Sequence, residues 1–175
     1  IKIKIFSNYK LNVKKKRVLV YFVNVDWFFV SHRLEIALES LNQGYEVHII
    51  AGFTSHKELL ENHGFIVHNI DLSRSSKSFF KETKVLLESY KILKKINIDV
   101  LHLISIKPII YGGLISKIIT TKKIVYSFPG FGHIFTSNSI SNYILRKISL
   151  LIYRLILKNK KSYVILQNDH DKDYL

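Results

Sequence analysis

Between Asp26 and Arg33, the segment NVDWFFVSHRLEIA (24–37) gathers a carboxylate, an indole, a hydroxyl, an imidazole and a guanidinium. An apolar run, RVLVYFVNV (17–25), leads into it, and a helical pattern, SHRLEIALESLNQG (31–44), follows. A strand that only filled a core would leave through a Gly- or Pro-rich turn. Ser31 reads as an N-cap, which puts His32 and Arg33 in the first helical turn, where free N–H groups and the helix dipole favour an anion. Arg33 adds a planar fork that grips phosphate with two bonds. On that reading Asn24 and Asp26 hydrogen-bond hydroxyls of the same ligand. The alternative is an ordinary helix start with a surface arginine, in which Trp27, Phe28 and Phe29 cover the end of a sheet.

Two further segments carry comparable chemistry. Lys107, followed by Pro108 at the end of a later strand, can neutralise a phosphate or polarise a hydroxyl, or is one of many surface lysines. In PGFGHIF (129–135), Gly130, Phe131 and Gly132 supply backbone able to wrap a sugar or phosphate, with His133 as hydrogen-bond partner or proton carrier. The competing reading is a plain loop with a solvated histidine. His48, His63, His68 and His102 read as structural. With no cysteine, HxxxH or HExxH, no metal site is expected. The first strand-to-helix turn also lacks GxGxxG, which argues against a nicotinamide or flavin bound by that route.

The elements that must position these groups alternate. β-branched and aromatic runs at 17–25, 45–51, 65–70, 99–105, 122–128 and 162–168 predict six strands. Helical patterns fall between them at 31–44, 55–64, 78–96, 107–119 and 140–160, with Ser31 and Ser55 as N-caps and Gly44 and Gly64 as stops. This predicts an α/β fold with a Rossmann-like, doubly wound, mostly parallel sheet of about six strands. Ligands of such sheets bind outside the carboxyl ends of the strands, near the reversal of strand order. The exits of strands one, four and five are the segments singled out above. Gly112-Gly113 reads as an allowance for close helix packing.

Composition bounds the partners. The 175 residues, 47% hydrophobic, suffice for one domain with a sizeable core, and residues 1–16 read as a basic leader before it. Methionine is absent, position 1 included, so the sequence reads as a piece of a larger product. The net charge of +14 attracts polyanions: nucleic acid, an anionic membrane or phosphorylated substrates. Nucleic acid is not expected, because the lysines are scattered and no recognition motif is present. No secretory signal is visible, and no run approaches the roughly 18–20 apolar residues of a membrane span. Helix 140–160 is amphipathic and basic. Tyr143, Ile144, Ile148, Leu151, Ile152 and Leu155 share one broad face, and Arg146, Lys147, Arg154, Lys158, Lys160 and Lys161 occupy the remainder. That pattern suits a helix resting on anionic lipid, or a core helix with a solvated back.

Taken in order, RVLVYFVNVDWFFVSHRLEIALESLNQGYEVHII, LHLISIKPIIYGGLIS, SFPGFGHIFTS and VILQN resemble the N-terminal domain of bacterial GT-B glycosyltransferases of the family-four type, which build O-antigen, capsule or other lipid-linked surface glycans. The resemblance covers residues 17–175. It implies the acceptor-side half of an enzyme that moves a sugar from a nucleotide-sugar to a lipid-linked or surface-polysaccharide acceptor, with retention of anomeric configuration and without a metal or other cofactor. Asn24, Asp26, Trp27, Ser31, His32 and Arg33 would line the cleft. Lys107 and the Gly130–His133 loop would face the sugar and diphosphate, with His133 as catalytic residue where relatives carry a histidine at the position of Pro129. Arg146, Lys147, Leu151, Arg154, Leu155 and Lys158 would face an anionic membrane, placing the protein in the cytoplasm at the inner face of the cytoplasmic membrane. The donor-binding second domain is absent from these residues and would come from the rest of the protein or from a partner chain. The contrasting expectation is a non-catalytic relative that binds a membrane or a partner.

Overall fold

Val18–Val25 forms β1 in the interior of the sheet, and its side chains explain why the run is unbroken from Val18 to Val23. Val18, Val20 and Phe22 enter one core while Leu19, Tyr21 and Val23 enter the other, so neither face can carry a polar residue without burying it. The computed structural model describes residues 15–72, 79–130, 140–158 and 160–167, and of Phe79 and residues 140–145 the backbone alone. The remaining strands are β2 (Glu46–Gly52), β3 (Ile66–Asn69), β4 (Val100–Ile104), β5 (Lys123–Phe128) and β6 (Ser162–Leu166). All pairings are parallel, in the order β3-β2-β1-β4-β5-β6. The chain reverses direction across the sheet between β1 and β4, which makes the ends of those strands the switch point.

The helices are α1 (Asp26–Asn42), α2 (Lys57–Asn62), α3 (Phe79–Lys95), α4 (Ile106–Ile115) and α5 (Ile140–Leu157). Phe29 and Ala37 of α1 and Leu60 of α2 pack with Tyr21, Val47 and Ile49 on one face. On the other, Leu93 of α3, Ile109 and Ile115 of α4, and Tyr153 and Ile156 of α5 pack with Val20, Phe22 and Leu101. The doubly wound, Rossmann-like sheet read from the sequence is therefore the fold. Gly44 and Gly64 end their helices with φ of +82° and +89°, the left-handed conformation a side chain would resist.

The glycine pair has a packing role. A Cβ on Gly112 would fall inside the Leu103 side chain, and one on Gly113 would lie 2.7 Å from Ile156 Cδ1. The first glycine lets α4 settle on β4, and the second lets α5 settle on α4.

Two expectations need correction. Helix α1 starts at Asp26, five residues before Ser31, because the aromatic segment is its first turn rather than a loop. Phe29 is thereby driven into the core, edge-on to Tyr21 with ring centroids 5.3 Å apart. Ser31 is no N-cap. It lies inside the helix, its hydroxyl 2.9 Å from the carbonyl oxygen of Trp27 one turn back. Nor does Ser55 cap α2, which begins at Lys57 after His56 and has no side-chain cap of its own. The leader assigned to 1–16 lies outside the described residues except for Lys15 and Lys16.

Candidate functional site

The carboxyl ends of β1, β2 and β3 converge on an open cleft of about 460 Å³. Asn24 and Trp27 come from the end of β1 and the start of α1, Gly52 and Thr54 from the exit of β2, and Asn69 and Asp71 from the exit of β3. Gly52 allows the three chain ends to close together, since a Cβ there would stand 3.2 Å from the carbonyl oxygen of Asn24 and 3.3 Å from that of Ile70. Trp27 keeps 46% of its surface exposed, unusual for an indole. The Oδ1 of Asn24 is buried without a hydrogen-bond partner. Asn69 accepts the N–H of Phe53 at 3.2 Å.

Asp26 does not line this cleft. Its side chain is fully buried, and its oxygens accept the N–H groups of Thr54, Ser55 and His56 at 2.8–2.9 Å and the Thr54 hydroxyl at 2.8 Å. Burial alone would raise the carboxyl's pKa. The four donors outweigh it and hold the group far below the usual carboxylate range. The role expected for Asp26, binding ligand hydroxyls, is therefore replaced by fixing the loop that leads into α2.

Ser31, His32 and Arg33 occupy the second turn of α1, away from the free N–H groups of its terminus. The His32 ring stacks on Phe28 with centroids 4.4 Å apart, and its Nδ1 lies 2.6 Å from the Ser31 hydroxyl. Arg33 donates from one guanidinium nitrogen to the carbonyl of His32 at 2.8 Å. Its charge reaches the switch point. Burial first, and Arg33 second, push the His102 imidazole on β4 down to about 4. His102 is neutral at pH 7, with its Nε2 2.7 Å from the Ser127 hydroxyl on β5.

At the end of β4, Ser105 adopts φ 77° and ψ 162°, a conformation that glycine tolerates and serine does not, at a cost of about 1–3 kcal/mol. Its carbonyl accepts the N–H of Ile109, so the strained residue opens α4. Lys107, in the first turn of α4, is engaged: its ammonium lies 2.7 Å from Oε1 of Glu82 on α3, whose other oxygen accepts the Tyr111 hydroxyl. Gly130 follows β5 with φ +134°. Phe131, Gly132 and His133 lie outside the described residues.

Among the described side chains of α5 the buried ones are Ser149, Tyr153 and Ile156. Ile148, Leu151 and Leu155 are 50%, 69% and 58% exposed, and Lys147, Arg154 and Lys158 share the exposed surface while Arg146 is half-buried. Leu151 and Leu155 are therefore not core residues. No helix among the described residues is long and apolar enough to cross a membrane.

The sequence reading missed Gly52, Thr54, Asn69 and Asp71, because it looked to strands one, four and five. The signal was available: AGFTS and HNIDLS put polar groups at the carboxyl ends of β2 and β3 as well. Glu82, sitting mid-pattern in an amphipathic helix, gave no such sign.

A parallel sheet of order 3-2-1-4-5-6, with a polar cleft and a strained turn at its strand ends, defines a Rossmann-like ligand-binding domain. The chain belongs to the glycosyl transferase 4-like family, whose model matches residues 18–168. Comparison with curated proteins finds no match. Among solved structures it is similar to a glycosyltransferase from Rickettsia africae ESF-5, at 21% identity and a TM-score of 0.58, over 88% of this chain and 44% of that one. It is also similar to sucrose-phosphate synthase from Thermosynechococcus elongatus, at 12% identity and a TM-score of 0.60, over 91% and 44%. A third likeness is to the calicheamicin glycosyltransferase CalG4, at 12% identity and a TM-score of 0.53, over 87% and 48%. The chain thus spans less than half the length of these structures. It has the fold of the N-terminal domain of a GT-B glycosyltransferase.

Proposed function

We propose that this chain is the acceptor-side half of a retaining glycosyltransferase that moves a sugar from a nucleotide-sugar to a lipid-linked or surface-polysaccharide acceptor. Membership of the family over residues 18–168 is the observation that carries the transfer reading. The second half of the site, with the donor, comes from the rest of the protein or a partner chain. Arg33 and Lys107 supply positive charge near the switch point, where a departing diphosphate needs it, and His133, outside the described residues, is the candidate catalytic group. No metal or other cofactor is called for in this scheme.

The membrane component rests on α5. Its exposed Ile148, Leu151 and Leu155, flanked by Lys147, Arg154 and Lys158, suit the interface of an anionic leaflet, and the cytoplasmic side of the inner membrane supplies both that charge and the nucleotide-sugar.

The test uses the full-length protein with a panel of nucleotide-sugars and lipid-linked saccharides, products being read by mass spectrometry and their anomeric configuration by NMR. A new glycoside with the donor's configuration is expected, with turnover reduced by Arg33→Ala and by Lys107→Ala. Absence of product from every donor, with membrane binding retained, would favour a non-catalytic binding module. An inverted product would remove the retaining assignment.

A further inference from the structure

Positive charge collects at the end of the sheet opposite the cleft. All strands run the same way, so the amino ends of β1, β4, β5 and β6 lie together, and lysines lead into each of them: Lys15 and Lys16, Lys94 and Lys95, Lys122, and Lys160. Two open clefts cut into this end. One, of about 400 Å³, has Lys15, Lys16 and Lys95 around the buried His48. The other, of about 390 Å³, has Lys94 and Lys95 beside Tyr90 and Ile118. Lys95, Ile96 and Asn97 line both. We propose that this groove is a second site, which takes a phosphoryl group between Lys15, Lys16 and Lys95. It lies the length of an eight-residue strand, roughly 25 Å, from the cleft at the carboxyl ends. At that distance its ligand anchors or regulates the protein and does not react, so the site does not depend on the transfer reading.

The cations come from separate segments. Lys94 and Lys95 alone would be accounted for by the carbonyl end of α3, whose dipole favours positive charge. Lys15 and Lys16 belong to the approach to β1, and the interior place of that strand brings them to the same cleft. The nearby carboxylates are already engaged. Glu46, which lines the cleft, lies 2.9 Å from Nε2 of His48. Asp99, just before β4, holds Lys122 at 2.5 Å and accepts the Val18 N–H at 2.8 Å. Three ammonium groups against one carboxylate leave a surplus that an anion relieves. The residues before Lys15 add to it, since positions 1–16 contain six lysines and no Asp or Glu. Each ammonium brings three donors and Asn97 an amide, which suits the several oxygens and the charge of about −2 of a phosphoryl group better than a single carboxylate. Nucleic acid fits less well, because the Tyr90 ring, the aromatic of the second cleft, has the Lys94 ammonium 5.4 Å from its centroid where a base would stack. Ile118, 74% exposed beside the lysines, gives the groove an apolar lip, so the phosphoryl group can belong to a lipid headgroup or to a soluble phosphate ester.

Calorimetric titration of the full-length protein with inorganic pyrophosphate, at fixed low ionic strength, tests the site. Lys16→Gln with Lys95→Gln removes two cations from the groove. Lys84→Gln with Lys91→Gln removes two from the exposed side of α3 and leaves the same net charge. A saturable component weakened at least about tenfold in the first pair, and changed less than about twofold in the second, is expected. Pyrophosphate bound elsewhere in the protein stays as a component common to both pairs. All four lysines are exposed, and unchanged circular dichroism would show that the variants fold. Equal weakening in both pairs would reduce the effect to net charge and overturn the proposal. So would the absence of any component sensitive to Lys16 and Lys95, or tighter binding of a single-stranded oligonucleotide than of pyrophosphate through the same two lysines. Vesicles of phosphatidylcholine with and without phosphatidic acid separate the two sources. Cosedimentation that falls several-fold in the first pair assigns the site to a lipid headgroup. Cosedimentation unchanged while pyrophosphate binding is lost assigns it to a soluble phosphate ester.

Discussion

The carboxylate of Asp26, the first residue of α1, accepts the N–H of His56 at 2.8 Å and so holds the residue that precedes a different helix, α2, from thirty positions upstream. Thr54 and Ser55 donate to the same group, making a concave row of backbone donors around one buried charge. The contact ties the exit of β1 to the exit of β2 beside the cleft.

Removing that carboxylate should be costly. Asp26→Ala leaves the part-buried N–H groups of Thr54, Ser55 and His56 without their acceptor, and a loss of about 1–3 kcal/mol in urea denaturation at pH 7 is expected. Because the folded carboxyl pKa is depressed, its contribution is complete above the unfolded value of about 3.9 and disappears as pH falls below it. Asp26→Asn, less stable at neutral pH, should therefore show a shallower acid limb below about pH 4. An acid limb as steep as that of the parent would show that other carboxylates govern it.

A second pH window lies higher. His102 titrates at about 4 in the folded protein and near 6.5 unfolded, so the unfolded chain binds the extra proton between those values. Stability is full above about pH 6.5 and falls toward pH 4 by up to about 1.4 kcal/mol per pH unit from this group. His68, lowered by burial and by the neighbouring His48, acts in the same direction. His102→Gln can keep the bond to Ser127 and should flatten this part of the profile, as followed by denaturation midpoints from pH 7.5 to 4.5. A flat parent profile would count against the assignment.

The exposed leucines of α5 separate lipid binding from folding. Leu151→Asp with Leu155→Asp should leave stability within about 0.5 kcal/mol per site, since neither side chain is buried. Cosedimentation of the full-length protein with vesicles containing anionic lipid should fall several-fold. Unchanged cosedimentation would move the membrane contact elsewhere.

Gly112 makes a sharper packing test. Gly112→Ala drives a methyl into Leu103 and should destabilise by about 1–3 kcal/mol in spite of the better helix propensity of alanine. Combining it with Leu103→Ala should give a loss smaller than the sum of the two single losses, a coupling readable in a double-mutant cycle. Strict additivity would mean that α4 shifts away instead.

Lys107 is claimed by Glu82 at 2.7 Å, and both are about a quarter exposed, so the pair should have a measurable coupling in stability, about 1 kcal/mol. Glu82→Gln should then alter transfer by the full-length protein in the same direction as Lys107→Ala, through the position of the ammonium. Wild-type turnover in both variants would leave the pair a purely structural tie between α3 and α4.

The alternation of strands and helices was legible because each strand is buried on both faces and each helix on one, which writes two different periods into the sequence. The start of α1 was not. Asp, Trp and Phe are mediocre helix formers beside a serine that looks like a cap, and what overrides propensity is the long-range embrace of Asp26 by Thr54–His56. The role of Asn24 and Trp27 beside the cleft could be anticipated from their place at a strand exit. The burial of Asp26, the ion pair of Lys107 and the contribution of Asn69 and Asp71 depend on partners far along the chain, and no local pattern records them.

The strand order also sets a timetable for synthesis. β1 pairs on one side with β2, which follows it closely, but on the other with β4, where Val20 meets Leu101 about 80 residues later. At ribosomal rates of about 5–20 residues per second, that edge waits about 4–16 seconds for its partner. During the wait this strand, with Tyr21 and Phe22 at its middle, presents open backbone groups along that edge. Until then α1 is the only element synthesised close behind β1 that covers one of its faces, through Phe29 and Ala37, while the other face waits for the elements that follow β3.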